Sequence, residues 1–482
     1  DDTGAENHTT ILTIAPSPVE AEVVWVGSDD GLVHLTRSGG GDWVEVGERI
    51  RGVPEGTWVP HIEASRHLPG TAYVVFDDHR RGNWEPYIYR TENYGRDWDR
   101  IAEEEDLWGF VHTLEEDPIS PNLLFAGTEF GLYVSLNRGD DWFLWRNGLP
   151  PAPIRSLVIH PRDHDLVIGT HGRAIYIIDD IRPLRALAGN PGLLNAPVHL
   201  FDPPSTYLRG QTAVDGYHFA ADAMFRGQPR AAGAILTYAV GPGQNPGGAR
   251  IEVLDTSGEV IRTMEGPAEV GLHRVVWDLR ETNPFSGPEA GGRFGPSGLE
   301  VLPGTYEVRV RVGGAESSNA LEVLPDPRVE IPLADRILKR NAVQEGFAVL
   351  GALQELQGRL RSVTRGLGAV DASLAGRQDP DAQGIKALVD SIRNEAAPID
   401  AAINEVSQGS YSIFTMSMTR DAPTEADRIG LSQTGAAVDR VISRFNAFVG
   451  GRLGPFHRRV VEAGLGGFPE IRPVLRRRPD GG

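Results

Sequence analysis

Thr36-Arg-Ser-Gly-Gly-Gly-Asp-Trp43 returns as Thr91-Glu-Asn-Tyr-Gly-Arg-Asp-Trp98 and again as Ser135-Leu-Asn-Arg-Gly-Asp-Asp-Trp142. Each copy carries a hydroxyl residue, a small polar residue two on, a glycine two further and a tryptophan three after that. Recurrence at about 40–55 residues points to a β-propeller or another radial array of sheets.

More positions match when the copies are aligned on their tryptophans. Upstream lies a β-rich run ending in a glycine turn: Val24-Trp-Val-Gly-Ser28-Asp-Asp-Gly31, Leu124-Phe-Ala-Gly-Thr128-Glu-Phe-Gly131 and Val167-Ile-Gly-Thr170-His-Gly172. Before these runs come Ile11-Leu-Thr-Ile-Ala-Pro16, Leu114-Glu-Glu-Asp-Pro118 and Leu157-Val-Ile-His-Pro161, each closing on a proline turn. The second unit is a variant, with Ile62-Glu-Ala-Ser65 followed by Ala72-Tyr-Val-Val-Phe76. Each unit therefore predicts four antiparallel strands, one propeller blade. The blades fall near residues 9–47, 60–103, 110–147 and 155–183, the last without a box. Eight of the nine tryptophans precede residue 146, which places aromatic bulk where stacked sheets need it. Four blades are few, and an open arc exposes sheet edges. The pattern predicts further blades from an N-terminal part or a second chain, ahead of a self-closed four-bladed ring.

The expected fold is mainly β, ending in helices. A propeller portion over residues 1–183 is followed by a Pro/Gly-rich connection over 184–232. Strict alternation such as Tyr306-Glu-Val-Arg-Val-Arg-Val312 predicts a β-sandwich of immunoglobulin type over 233–328, with a Gly/Pro-rich loop over 287–298. After Asp326-Pro the period becomes helical: Val343, Phe347, Leu350, Leu353, Leu356, Leu360 and Val363 step by three and four. A second helix carries Ile385 to Ile403, with a kink expected at Pro398. A third starts at a capping box of Thr424 and Asp427. These predict a helical hairpin or bundle over 329–470, able to pack within the chain or to form a homo-oligomer, and a flexible tail over 471–482.

The chain has 482 residues, a net charge of −19 and no cysteine. Disulfides, thiol catalysis and cysteine-zinc sites are thereby excluded. An acidic surface repels phosphate backbones, so nucleic acid is not an expected partner. No apolar run approaches the ~20 residues of a membrane span, and the Asp1-Asp-Thr-Gly-Ala start lacks the regions of a signal peptide.

The eight-residue pattern resembles the Asp-box, or bacterial neuraminidase repeat, of sialidases, xyloglucanases and sortilin-type propellers, with Ser38, Asn93 and Asn137 in place of the usual Asp. The resemblance implies a structural turn on the outer part of each blade. The whole chain resembles the C-terminal half of exported bacterial proteins described as sortilin-like or glycosyl-hydrolase repeat proteins. The matching segments are Gly169-Thr-His-Gly-Arg-Ala-Ile-Tyr-Ile-Ile-Asp-Asp180, Val253-Leu-Asp-Thr-Ser-Gly-Glu-Val-Ile-Arg262, Trp277-Asp-Leu-Arg280, Pro303-Gly-Thr-Tyr306 and Asp326-Pro-Arg328. The sandwich is similar to the immunoglobulin-like part of flagellar hook-capping proteins. The resemblance implies an extracytoplasmic location, periplasmic or secreted.

Blade geometry sorts the loops. Boxes join third to fourth strands and mark one face; the glycine turns join second to third strands and mark the other. On that other face fall Asp29, Glu129, His171 and Arg173, with Asp29, Glu129 and His171 at equivalent positions. The longest turn, Phe76-Asp-Asp-His-Arg-Arg-Gly-Asn-Trp84, adds Asp77, Asp78, His79, Arg80, Arg81 and Trp84. A sugar site would take its acid–base carboxylates from Asp77, Asp78, Glu129 and Asp29 and use Trp84 for stacking, with His79, Arg80, Arg81, His171 and Arg173 as binding groups. The bland alternative is a wet loop whose acids and arginines pair with one another. Asp77, Asp78 and His79 could also hold a divalent cation, but no metal and no cofactor is expected. Asp163-His164-Asp165 reads as a turn, and His160 with His171 lacks the spacing of a zinc hydrolase. The leading expectation is an exported propeller module binding a carbohydrate polymer or a protein inside a larger assembly. The alternatives are a glycoside hydrolase and a structural subunit assembling through its helices.

Overall fold

A computed structural model describes residues 8–209, 230–243, 247–283 and 297–476. The first sheet is β1 (Ile11–Pro16), β2 (Val24–Ser28), β3 (Val33–Thr36) and β4 (Trp43–Glu45). The second is β5 (Trp58–Ala64), β6 (Ala72–Asp77), β7 (Tyr87–Thr91) and β8 (Asp99–Ala102). The third is β9 (Val111–Glu116), β10 (Leu124–Thr128), β11 (Gly131–Ser135) and β12 (Phe143–Trp145). The fourth stops at three strands, β13 (Ile154–Ile159), β14 (Leu166–Thr170) and β15 (Ile175–Ile178). Every strand pairs antiparallel with its sequence neighbour, the meander of a propeller blade.

Apolar residues on facing sheets meet in three successive cores. Trp25, Val33 and Leu35 pack against Val59, Ile62 and Val74. Tyr73, Val75 and Ile88 pack against Val111, Leu114 and Ala126. Phe125, Leu132 and Val134 pack against Leu157, Ile159 and Ile168. β9 and β11, covered on both faces, are buried along their whole length. Among the described residues the stack does not close on itself. The outer face of the first sheet leaves Ile14 63% exposed, and that of the fourth leaves Val158, Ile175 and Ile177 exposed.

Each box is a turn held by its own side chains. The hydroxyls of Thr36, Thr91 and Ser135 accept from the backbone N–H of Gly40 (3.0 Å), Gly95 (3.0 Å) and Gly139 (2.8 Å). The third residue then accepts from the seventh: Ser38 from Asp42 (2.8 Å), Asn93 from Asp97 (2.9 Å), Asn137 from Asp141 (2.9 Å). Ser and Asn thus do the accepting expected of Asp.

After β15 the chain enters α1 (Arg182–Gly189), which is stapled back to the third sheet. Arg185 donates from Nε to both oxygens of the fully buried Asp117, at 2.9 and 2.7 Å. The stretch 184–232, expected as connection only, also supplies β16 (Val198–Leu200) and β17 (Thr206–Leu208). These join β18 (Ala234–Val240), β19 (Ala249–Leu254), β20 (Val260–Gly266), β21 (Gly271–Trp277), β24 (Gly304–Val312) and β25 (Ala315–Pro325), with a β22 (Arg280–Thr282) and β23 (Ser297–Glu300) hairpin beside them. The strand orders are β16-β18-β21 and β17-β25-β24-β19-β20. The two sheets share one core, with Leu236, Tyr238 and Trp277 from one meeting Ile251, Val308 and Leu321 from the other. The expected loop over 287–298 lies almost wholly outside the described residues.

The helices are α2 (Leu333–Ser373), α3 (Pro380–Gly409), α4 (Tyr411–Met418), α5 (Glu425–Phe448) and α6 (Gly454–Glu462). The three long ones pack together within the chain around Leu356, Val363, Val389, Ile403, Val438 and Phe445. The capping box is present at α5, where Thr424 Oγ1 accepts from Asp427 N at 3.1 Å and Asp427 answers at 2.9 Å. Pro398 sits inside α3, which continues through it. The tail needs correction. Ile471 and Val474 belong to the bundle core, and the Asn446 amide brackets Val474, donating to its carbonyl (2.9 Å) and accepting from its N–H (2.8 Å). Pro479 and its neighbours lie outside the described residues. Among the described residues no helix is long and apolar enough to cross a membrane.

Candidate functional site

In an up-and-down blade, the connection from one blade's fourth strand to the next blade's first strand emerges on the same side as the turn between second and third strands. That places the β6–β7 loop, the β8–β9 connection and the β10–β11 turn together. Asp29, Glu129 and His171 are equivalent there: their backbone N–H groups donate to the carbonyls of Thr10, Phe110 and Pro153, just ahead of each first strand.

Aromatic rings fill the middle of this face. Trp108 stacks on Phe130 (centroids 4.1 Å apart, planes 15° apart), and Trp84 stacks on the same ring at 6.2 Å and 19°. Trp84 also meets the edge of Phe110 at 5.2 Å, and the His79 ring stacks on Phe110 at 4.4 Å. Trp84 is 50% and Trp108 66% exposed, although large aromatic rings usually hide. Gly109 lets the two aromatic segments close. Its φ is +81°, and a Cβ there would fall 2.6 Å from the Phe130 ring.

Two imidazole–carboxylate pairs flank the rings. Asp77 Oδ1 accepts from His79 Nδ1 (2.6 Å) and from its backbone N–H (3.0 Å). Glu129 Oε2 accepts from His112 Nε2 (3.0 Å), while Arg155 donates to His112 Nδ1 (3.1 Å). With one ring nitrogen donating and the other accepting, His112 is the neutral Nε2–H tautomer. Burial holds its pKa below the ordinary value; the Glu129 bond pulls it upward, and Arg155 pushes it further down.

The remaining predicted residues divide. Asp78 binds Arg81 and accepts from Asn83 at 3.2 Å, and Arg81 reaches on to the Glu55 carbonyl (2.7 Å) and Thr57 (2.9 Å). The Arg80 guanidinium lies 3.6 Å over the Trp58 ring. Asp29 is buried and accepts from the backbone N–H groups of Thr9 and Thr10, both at 2.8 Å; its carboxylate anchors the chain entering β1. His171 and Arg173 lie exposed at the β14–β15 turn. The structure thus gathers Asp77, His79, Trp84 and Glu129, engages Asp29 and Asp78 in local bonds, and leaves His171 and Arg173 exposed at a separate turn. Trp108, Phe110, His112, Phe130 and Arg155 complete the cluster without having been singled out in the sequence. The signal was there in the aromatic pair Trp108-Gly-Phe110, placed between two blades.

A second titratable cluster lies on the facing first strands β5 and β9. Arg66 stands 3.9 Å from Glu63 and 3.7 Å from Glu115. Burial, and then the Glu115 charge, push the Glu63 carboxyl up to about 8; burial pushes Glu115 up to about 7 against the pull of Arg66. Beside them, Glu116 accepts from Ser65 (2.8 Å), Tyr73 (3.0 Å) and the Arg66 N–H (2.8 Å).

No protein-family model matches the chain, and no curated protein matches it. Among solved structures it is similar to YCF48 bound to a D1 peptide, at 16% identity over 36% of this chain and 50% of that one, with a TM-score of 0.28. YCF48 from Cyanidioschyzon merolae matches at 20% identity over 33% and 50%, with a TM-score of 0.27. An ancestral GH74 enzyme matches at 12% identity over 65% and 40%, with a TM-score of 0.29. The chain spans about half the length of either YCF48 structure.

Proposed function

We propose that this chain is an exported, sortilin-like propeller module that binds a polysaccharide and works inside a larger assembly. One observation carries the reading: the exposed indoles Trp84 and Trp108, both stacked near-parallel on the half-buried Phe130 ring and flanked by Asp77–His79 and His112–Glu129. Flat aromatic faces stack on the C–H faces of sugar rings, and carboxylates and imidazoles exchange hydrogen bonds with hydroxyls. The sandwich, which we read as immunoglobulin-like, and the helical bundle serve assembly. Export rests on the resemblance of the whole chain to exported bacterial proteins, carried by segments such as Gly169–Asp180 and Val253–Arg262.

The test is calorimetric titration of the full chain with a panel of soluble neutral α- and β-glucans. A saturable isotherm is expected, with Trp108→Ala and Trp84→Ala each weakening binding about fivefold or more, on the scale of the ~1–3 kcal/mol that a ring stacked on an aromatic side chain contributes. No saturable binding across the panel, or unchanged binding by folded Trp108→Ala, overturns the reading.

A glycoside hydrolase is the second reading, favoured by Glu63. Its raised carboxyl suits a general acid at neutral pH. Release of reducing ends from the same glucans, abolished by Glu63→Gln, would support it; the absence of any release would remove it.

A further inference from the structure

The blades dock on one another by a repeated contact. Trp98 of the second box donates from Nε1 to the carbonyl of Val46 (3.2 Å), and Trp142 of the third donates to that of Ile101 (2.8 Å). The glycine of each box presses on the same acceptor: a Cβ on Gly95 would come 2.8 Å from Val46, and one on Gly139 2.8 Å from Ile101. Val46 follows Trp43 by three residues, and Ile101 follows Trp98 by three. Each box thus seats on the residue three past the tryptophan of the preceding box.

The first box is built alike, with the same internal hydrogen bonds, but among the described residues it has nothing to seat on. Among the described residues a Cβ on Gly40, the counterpart of Gly95 and Gly139, meets no atom within 4 Å. Trp43 is 45% exposed. The sheet core gives an independent sign. The backbone bonds Ser17 N to Val23 O, Ser65 N to Thr71 O, Asp117 N to Leu123 O and His160 N to Asp165 O mark equivalent turns. They make Ile14, Ile62, Leu114 and Leu157 counterparts, three residues before each turn. The last three are buried; Ile14 alone of the four is exposed. The ladder places Ile14 on the face of Trp43, through Val26, Val24 and Thr36.

We propose that this face seats on a preceding four-stranded box blade that offers an apolar residue, with a free carbonyl, three positions after its own box tryptophan. The occupant is read from what covers the equivalent face of the second and third sheets. A second copy of this chain cannot supply it. Val46 and Ile101 already receive Trp98 and Trp142, the third sheet's far side is covered by the fourth, and the fourth sheet has no box and, among the described residues, no fourth strand. The proposal deepens the assembly part of the proposed function and does not involve the Trp84–Trp108 platform, so either can fail without the other.

The test installs a photo-crosslinking residue, Ile14→p-benzoylphenylalanine, in the full chain expressed in its source cells, and sequences the cross-linked peptide. The expected adduct lies in a blade bearing the box pattern, with an apolar residue three after its tryptophan. Adding Trp43→Ala, a change at an exposed side chain, should cut the adduct yield about tenfold. An adduct to a second copy of this chain, to a protein without a box, or no adduct at all overturns the proposal.

Discussion

The helical bundle and the blade stack meet the same requirement, covering apolar faces, with different success. In the bundle α2, α3 and α5 bury their stripes against one another, and even residues 471–476 fold back onto the core. In the stack each sheet depends on the next, so the inner sheets are buried and the end sheets keep bare apolar rows. A bundle can finish within one chain, whereas a stack of sheets always has two ends unless it closes into a ring.

Truncations at matched positions put the largest strain on that comparison. Leu356→Ala in the bundle and Ile62→Ala between the first two sheets should each lose about 2–5 kcal/mol in chemical denaturation. Ile14→Ala, the same position one sheet earlier, should change stability by no more than about 0.5 kcal/mol in the isolated chain. A large loss at Ile14 would mean that its face is covered in solution.

Glycine substitutions sharpen the contrast between boxes. Gly95 and Gly40 both have positive φ, +73° and +99°, so alanine costs backbone strain of about 1 kcal/mol at either. Only Gly95→Ala adds a clash with Val46, and overpacking adds roughly 1–3 kcal/mol. Thermal melts should therefore rank Gly95→Ala well below Gly40→Ala; equal melts would deny the seating contact its role.

A gentler effect is a slope with pH. Glu63 is raised in the folded chain from its ordinary 4.5 to about 8, so the folded state holds a proton that the unfolded state has released. That stabilisation is complete below about 4.5 and is lost as pH rises through about 8. Denaturation midpoints of the wild type should fall across this window relative to Glu63→Gln; parallel curves would show that Glu63 titrates normally.

How far the sequence could be read follows from the range of each interaction. The boxes were legible because each is held by bonds from a side chain to a backbone group two or four residues on. The three long helices were legible from their period, and α5 from its cap, whereas the short α4 and α6 carry too few turns to show one. The candidate site was half legible. Asp77, His79 and Trp84 share one loop, but Trp108 and Phe110 come from an inter-blade connection, and His112 and Arg155 from the starts of two different first strands. Nothing in Ile62-Glu63 or Leu114-Glu115-Glu116 marks a titratable pair; only the stacking of β5 on β9 puts both beside Arg66. Val474, one apolar residue amid Pro and Arg, gave no periodic sign of the Asn446 bracket that holds it.

The indole-to-carbonyl contact between blades joins unlike surfaces, a box on one side and an outer strand on the other, so it has a direction, as in any head-to-tail polymer. Among the described residues the direction ends at the fourth sheet, because after β15 the chain turns into α1 and no fourth strand pairs with β15 to meet a following box. A one-way series with a built-in terminator has a fixed reading order. A blade following the fourth sheet, as the described residues stand, would have to dock by contacts other than the indole-to-carbonyl one.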